Sequence, residues 1–386
     1  MHNLISLNAV LKRFTIIVIS VFFMLGIQAC KKEKAEFPDM MKFELELIYP
    51  IKQPVLMPNG NFCFANNSSL YCVNSKGWEI WHNDFVLPMY YGPEASSMNH
   101  NYTLGLGKYN YKELLATAFD NNNKELWRYY FLPVNGSVYP NAAAVLQDGS
   151  SVINASGSEG AISSANWLIR LGMEGKLIKK VLYIGDSMKT ENMCSADQNC
   201  FLINTNGSVR KMDTAYQQLW SISTSGISGT RIKKAGEGWM LFGYGVDSIP
   251  VVRGYNFDGQ QQWSIQYEAL KGYSINDVLE DDNELIVTGA TSTPLYSDCQ
   301  MYFVRSTKAG TLQVKKILRI EERTGGNPVY KRSAGNFIFK TGDKYLIFTT
   351  KSYYADSWIS GYLWNVYFST ITLDKNGKGC NRSDCF

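Results

Sequence analysis

Histidine is scarce, with 3 in 386 residues, and only His82 and His100 lie beyond residue 30. No His-Glu-x-x-His, Gly-x-Ser-x-Gly or Walker loop occurs, so zincin, serine-hydrolase and nucleotide-binding readings lose their usual support. Charge is also sparse: charged residues are 19%, the formal net charge is +4, and the bases are scattered. That pattern leaves no electrostatic footprint for nucleic acid. Hydrophobic residues at 45% exclude a disordered chain. Eleven prolines and 32 glycines exclude a collagen-like repeat. After residue 40, no stretch sustains an apolar 3.6-residue period over three turns, which removes an α-helical core.

The longest apolar run is residues 14–27, behind Lys12 and Arg13. Fourteen helical residues rise ~21 Å, short of the ~30 Å hydrocarbon core, so the run reads as a signal-peptide h-region. Ala29-Cys30 follows and resembles a bacterial lipobox, in which cleavage precedes a diacylated cysteine. The resemblance implies lipidation of Cys30, a signal peptide over 1–29, a tether over 30–40 and a folded domain over 41–386. Cleavage leaves 357 residues with a charge of +2, since Lys12 and Arg13 are lost. Three acyl chains, at about 0.8 kcal/mol per buried CH₂, hold a protein on a membrane almost permanently. The membrane is thus one expected partner, and the outer membrane the expected location, with the periplasmic or surface face left open.

What the sequence has in abundance is a repeated turn. Turns end at Gly77, Asn123, Gly175, Tyr216, Gly259, Gly310 and Gly377, most of them opening on Asp or Asn. Asp or Asn at the start caps such a turn with its side chain, and Gly or Asn at the end accepts positive φ. Four are followed, four residues on, by tryptophan: Trp81, Trp127, Trp220 and Trp263. A second class of polar turn precedes alternating apolar residues, as at Asn59-Gly60, Asp148-Gly149 and Asp282-Asn283. The first class recurs every 41 to 67 residues, and 357 residues divided by seven is 51. Repeats of that length with about four strands each are propeller blades. The expectation is an all-β, seven-bladed β-propeller, with eight blades as the alternative.

The Asp/Asn-x-x-Gly-x-x-x-Trp element resembles the blade repeat of quinoprotein-type (PQQ-like) β-propellers. The resemblance implies that Trp81, Trp127, Trp220 and Trp263 pack between neighbouring blades. Only the blade repeat matches, so no cofactor is expected.

Non-repeating aromatics are the better binding candidates: Tyr90, Tyr91, Tyr109, Tyr111, Tyr353, Tyr354 and Trp358, read as lying in loops or insertions. Tyr with Ser, Asn and Gly gives broad contact at low entropic cost. No catalytic, metal-binding or cofactor-binding residue is assigned. His82 beside Trp81 reads as a surface residue, and Asp281-Asp282 as a solvated turn. The reading is a monomeric binding or scaffold module for an unknown protein or glycan ligand, with no nucleic-acid partner. The alternative is an enzyme acting on a polysaccharide, with carboxylates from separate blades meeting at the axis.

Two further expectations concern strand pairing. A hairpin with Asn67-Ser68 as its loop puts Cys63 opposite Cys72 at a non-hydrogen-bonded pair. Such pairs have Cα atoms about 4.5 Å apart, within disulfide range, so a Cys63–Cys72 disulfide is predicted. Cys194 with Cys200 and Cys380 with Cys385 are close in sequence, and Cys299 is left over. Only nine residues follow Gly377, too few for a packed outer strand. Residues 43–47 alternate apolar and acidic side chains, and residues 43–48 are predicted to complete the blade holding 337–374, leaving no open edge. Finally, Asp186-Ser187-Met188, Asp213-Thr214-Ala215 and Asp247-Ser248-Ile249 resemble the O-glycosylation acceptor of Bacteroidetes, and read otherwise as turns.

Overall fold

In the computed structural model, the described residues form 28 strands in seven four-stranded antiparallel sheets. The structure describes residues 44–47, 53–66, 69–84, 92–97, 100–109, 112–185, 190–205, 207–291, 299–318, 331–355 and 363–379. Blades 1 to 6 are meanders over residues 55–84, 92–131, 137–184, 190–223, 228–266 and 274–318. Each runs from an inner strand at the axis to an outer strand at the rim. Blade 7 takes three strands from residues 331–373, and its outer strand is Glu44–Leu47. Glu44 pairs with Ser369 and Leu47 with Val366, so the N-terminal strand closes the ring. The fold is the seven-bladed propeller.

Middle strands of a blade touch neighbours on both faces and therefore read as unbroken apolar runs. Phe201–Thr205 is buried at every position. Outer strands lose one neighbour and alternate, as Leu177–Ile184 and Gln218–Ser223 do. The core is not one mass but seven wedges, one between each successive pair of blades. The wedge closing the ring sets Phe62, Phe64 and Val73 of blade 1 against Leu346, Phe348 and Phe368 of blade 7. Full burial of one such side chain contributes about 1.5–3 kcal/mol.

The repeated turn joins the third and fourth strands of blades 1 to 6, and follows the last strand of blade 7. At Gly77, Asn123, Gly175, Tyr216, Gly259, Gly310 and Gly377, φ lies between 61° and 85°. Asp120 shows the chemistry: its Oδ1 accepts the N–H of Asn122 and of Lys124, both at 2.9 Å. Asn74, Asn256 and Asp374 repeat both bonds. In the seventh turn no fourth strand is needed, because Glu44–Leu47 already occupies that edge.

Candidate functional site

The inner strands enclose an axial channel of about 680 Å³. Six of the seven inner strands carry a bulge, at Glu94, Asn141, Glu191, Gly229-Thr230, Asn276 and Asn336. Bulges break the ladder, re-aim side chains and leave backbone groups unpaired. Amides answer them. Asn192 donates to the Ile232 carbonyl at 2.7 Å and accepts from Asn204 at 3.1 Å, tying blade 4 to blade 5. Arg231 Nη1 donates to the Asn276 carbonyl at 2.5 Å, tying blade 5 to 6. Asn276 Nδ2 donates to the Gly335 carbonyl at 3.0 Å, tying blade 6 to 7.

One buried charge spans three blades. Lys233 Nζ lies 2.9 and 2.8 Å from the two oxygens of Asp277, whose side chain is 4% exposed. Asp277 also accepts the N–H of Val278 and of Ile338. The carboxylate is therefore held by three donors from blades 5, 6 and 7. The described lining holds Arg231, Lys233 and Lys234, and no Asp or Glu belongs to it among the described side chains.

A second surface lies outside. Of thirteen exposed large hydrophobic residues among the described ones, ten fall between Leu126 and Ile184, on blades 2 and 3 and their connection. Tyr130 is 43% exposed, Val134 68% and Ile184 70%. Tyr109 packs edge-on against Tyr130 at 5.3 Å. Lys108, itself buried, sets its Nζ 3.3 Å from the centroid of the exposed Tyr139 ring. That ammonium holds the Tyr139 phenol below its ordinary pKa of 10.0.

The tryptophans lie at the blade interfaces. Trp81, Trp127, Trp220 and Trp263 each pack against a wedge shared by two blades. A Cβ on Gly175 of blade 3 would come within 2.7 Å of Trp127 of blade 2, and one on Gly259 within 3.2 Å of Trp220. Positive φ and this close approach together require glycine. Trp220 Nε1 also donates to the Phe257 carbonyl at 3.0 Å.

Cys63 registers with Cys72, as the hairpin arithmetic predicts, but both are free thiols in the structure, with no disulfide present. Cys194 registers with Leu202 rather than Cys200, and both cysteines, like Cys299, are free. Tyr353 and Tyr354 are not loop residues: they sit in the strand Lys344–Ala355, registered with Asn365 and Trp364. Asp281 is no mere solvated turn. It accepts the Tyr345 hydroxyl at 2.7 Å and pairs with Lys340, linking blades 6 and 7. His82 is exposed beside Glu79. Asp213 caps a blade turn, and Asp247-Ser248 lies in the 3₁₀ turn Val246–Ser248. Cys30, Tyr90, Tyr91, Tyr111, Trp358, Asp186-Ser187-Met188, Cys380 and Cys385 lie outside the described residues. Among the described residues no group of His, Cys, Asp or Glu is placed to hold a metal, and no helix is long and apolar enough to cross a membrane.

No family model matches the chain, and no curated protein does. Solved propellers do resemble it. The Neurospora crassa Pan2 WD40 domain is 8% identical over 90% of this chain and 100% of its own, with a TM-score of 0.51. YCF48 bound to D1 peptide is 9% identical over 88% and 98%, with a TM-score of 0.51. BamB from Moraxella catarrhalis is 12% identical over 82% and 84%, with a TM-score of 0.43. At these identities the likeness concerns the fold, a β-propeller.

Proposed function

We propose that this chain is a lipid-anchored binding or scaffold propeller of the bacterial envelope, meeting a protein partner through blades 2 and 3. The observation carrying this reading is the gathering of exposed apolar residues there. Exposed apolar patches of more than a few hundred Å² mark interaction surfaces, and ten exposed apolar residues on two neighbouring blades support one here. The lipid anchor rests on residues 14–27 and Ala29-Cys30. Two experiments test the reading. Cys30→Ala is expected to leave the protein unprocessed or soluble; retention of the variant in the membrane fraction refutes the anchor. Val134→Asp with Ile184→Asp is expected to abolish cross-linking to an envelope partner at unchanged melting temperature. Undiminished cross-linking refutes the surface.

The enzymatic alternative draws on one feature. Glu94 and Glu191 occupy inner-strand bulges in blades 2 and 4, so two carboxylate residues share the channel-lining strands. Turnover of a polysaccharide that Glu94→Gln or Glu191→Gln abolishes would establish the enzyme and displace the binding reading.

A further inference from the structure

The channel has unlike walls. The inner strand of blade 5, Ser228–Ala235, brings cations to it. Across the ring, blade 1 offers Val55 and Leu56, and blade 7 adds Phe337 and Phe339. Of the cations, Lys233 is neutralised by Asp277. Arg231 is exposed to the cavity and directs one Nη to the Asn276 carbonyl. A guanidinium carries five N–H donors in a planar fork suited to the paired oxygens of an anion. The bulge at Gly229-Thr230 lies immediately before Arg231 and sets where it projects. Fixed at one nitrogen, the fork is pre-organised and loses little freedom on meeting a ligand.

We infer that the channel binds an amphipathic anion, its carboxylate or phosphate held by Arg231 and its apolar body laid along Leu56, Phe337 and Phe339. At about 680 Å³ the space falls within the 300–1,000 Å³ usual for small-molecule sites. Such a site pairs apolar surface with placed polar groups; here Leu56, Phe337 and Phe339 give the apolar surface, while amides and cations make much of the remaining lining polar. The apolar wall supplies affinity through buried area, and the guanidinium sets the sign of the charge accepted. The inference is independent of the partner surface on blades 2 and 3.

Calorimetric titration of the purified protein tests it, with decanoate, decyl phosphate, decanol and decylamine, each below its micellar concentration. Both anions are expected to bind at least tenfold more tightly than decanol, and decylamine more weakly still. The ratio of decanoate to decyl phosphate identifies the headgroup. Arg231→Gln is expected to weaken the anions at least tenfold and to leave decanol unchanged, while Arg231→Lys gives an intermediate loss. Melting curves of both variants confirm folding, and Leu56→Asn, which leaves Arg231 intact, is expected to weaken all four probes together. Equal affinity for decanoate and decanol, preference for decylamine, or unchanged anion binding by folded Arg231→Gln would overturn the assignment.

Discussion

Lys179 of blade 3 holds its ammonium 5.1 Å from the centroid of the Tyr216 ring of blade 4, and donates to the Ala215 carbonyl at 2.7 Å. These two residues occupy, on neighbouring blades, the positions that Trp127 and Gly175 hold one interface earlier. Trp220 and Gly259 hold them one interface later. At the interface between blades 3 and 4 the aromatic ring has therefore changed sides. Tyr216 pays with positive φ, 63°, in a region costing a non-glycine residue about 1–2 kcal/mol. Its ring fills the wedge against Phe201, 6.1 Å away edge-on.

Tyr216→Gly is accordingly expected to cost about 2–4 kcal/mol: loss of a buried aromatic, less the backbone strain released. Adding Lys179→Trp should restore much of that stability by rebuilding the common pair. Lys179→Trp alone should destabilise, since two rings would compete for one space. A double-mutant cycle in denaturant measures the coupling; additive effects would show that the two sites are independent.

Cys63 and Cys72 lead to a second expectation. Burial pushes the Cys72 thiol up to about 12 and Cys63 well above its usual range. Thiol exchange requires the thiolate, so neither group reacts readily once folded. Both thiols are therefore expected to stay reduced and protected: the native protein should resist alkylation at Cys63 and Cys72 until denatured. Modification of either cysteine in the native state, read by mass spectrometry, would refute that protection.

Removing residues 41–48 takes away the partner of Leu363–Leu373. Four paired residues are lost, worth about 3–4 kcal/mol at ~1 kcal/mol per hydrogen bond, and an edge is opened to self-association. A lower melting temperature and concentration-dependent oligomers are expected by calorimetry and light scattering; an unchanged melt would mean the closing strand contributes nothing.

Acid should loosen the joint between blades 6 and 7. Burial opposes the charge on Asp281, but Lys340 and the Tyr345 hydroxyl outweigh it and hold the carboxyl below its ordinary 3.8. A carboxyl depressed on folding stabilises above its unfolded pKa, and that contribution disappears as pH falls through the folded value. Between about pH 4 and pH 2, wild type should therefore lose stability faster than Asp281→Asn. Parallel stability–pH curves for the two proteins would refute the assignment.

The blade repeat is legible because its turns impose local rules: a capping Asp or Asn, a residue at positive φ, and a tryptophan at fixed offset. The Cys63–Cys72 register follows from the same local counting. The channel is not legible in that way. Arg231 meets Asn276 across 45 residues, and Asp277 meets Ile338 across 61. No periodicity marks partners on different blades. A signal was nonetheless present: Asn141, Asn276 and Asn336 recur at the bulge of their inner strands. Asp281 looks like a solvated turn in sequence because Tyr345 and Lys340 come from the next blade.

The pairing of Glu44 with Ser369 joins residues 325 apart. The strand made first waits for the strand made last, and the loop between them is almost the whole domain. Six blades can form as the chain emerges, but the ring has no closed state until residue 373 is free to fold. Chain order thus becomes a timing device: a chain threaded through a membrane N-terminus first stays open throughout its passage. A stop codon before residue 363 would strand the first blade edge as surely as the last.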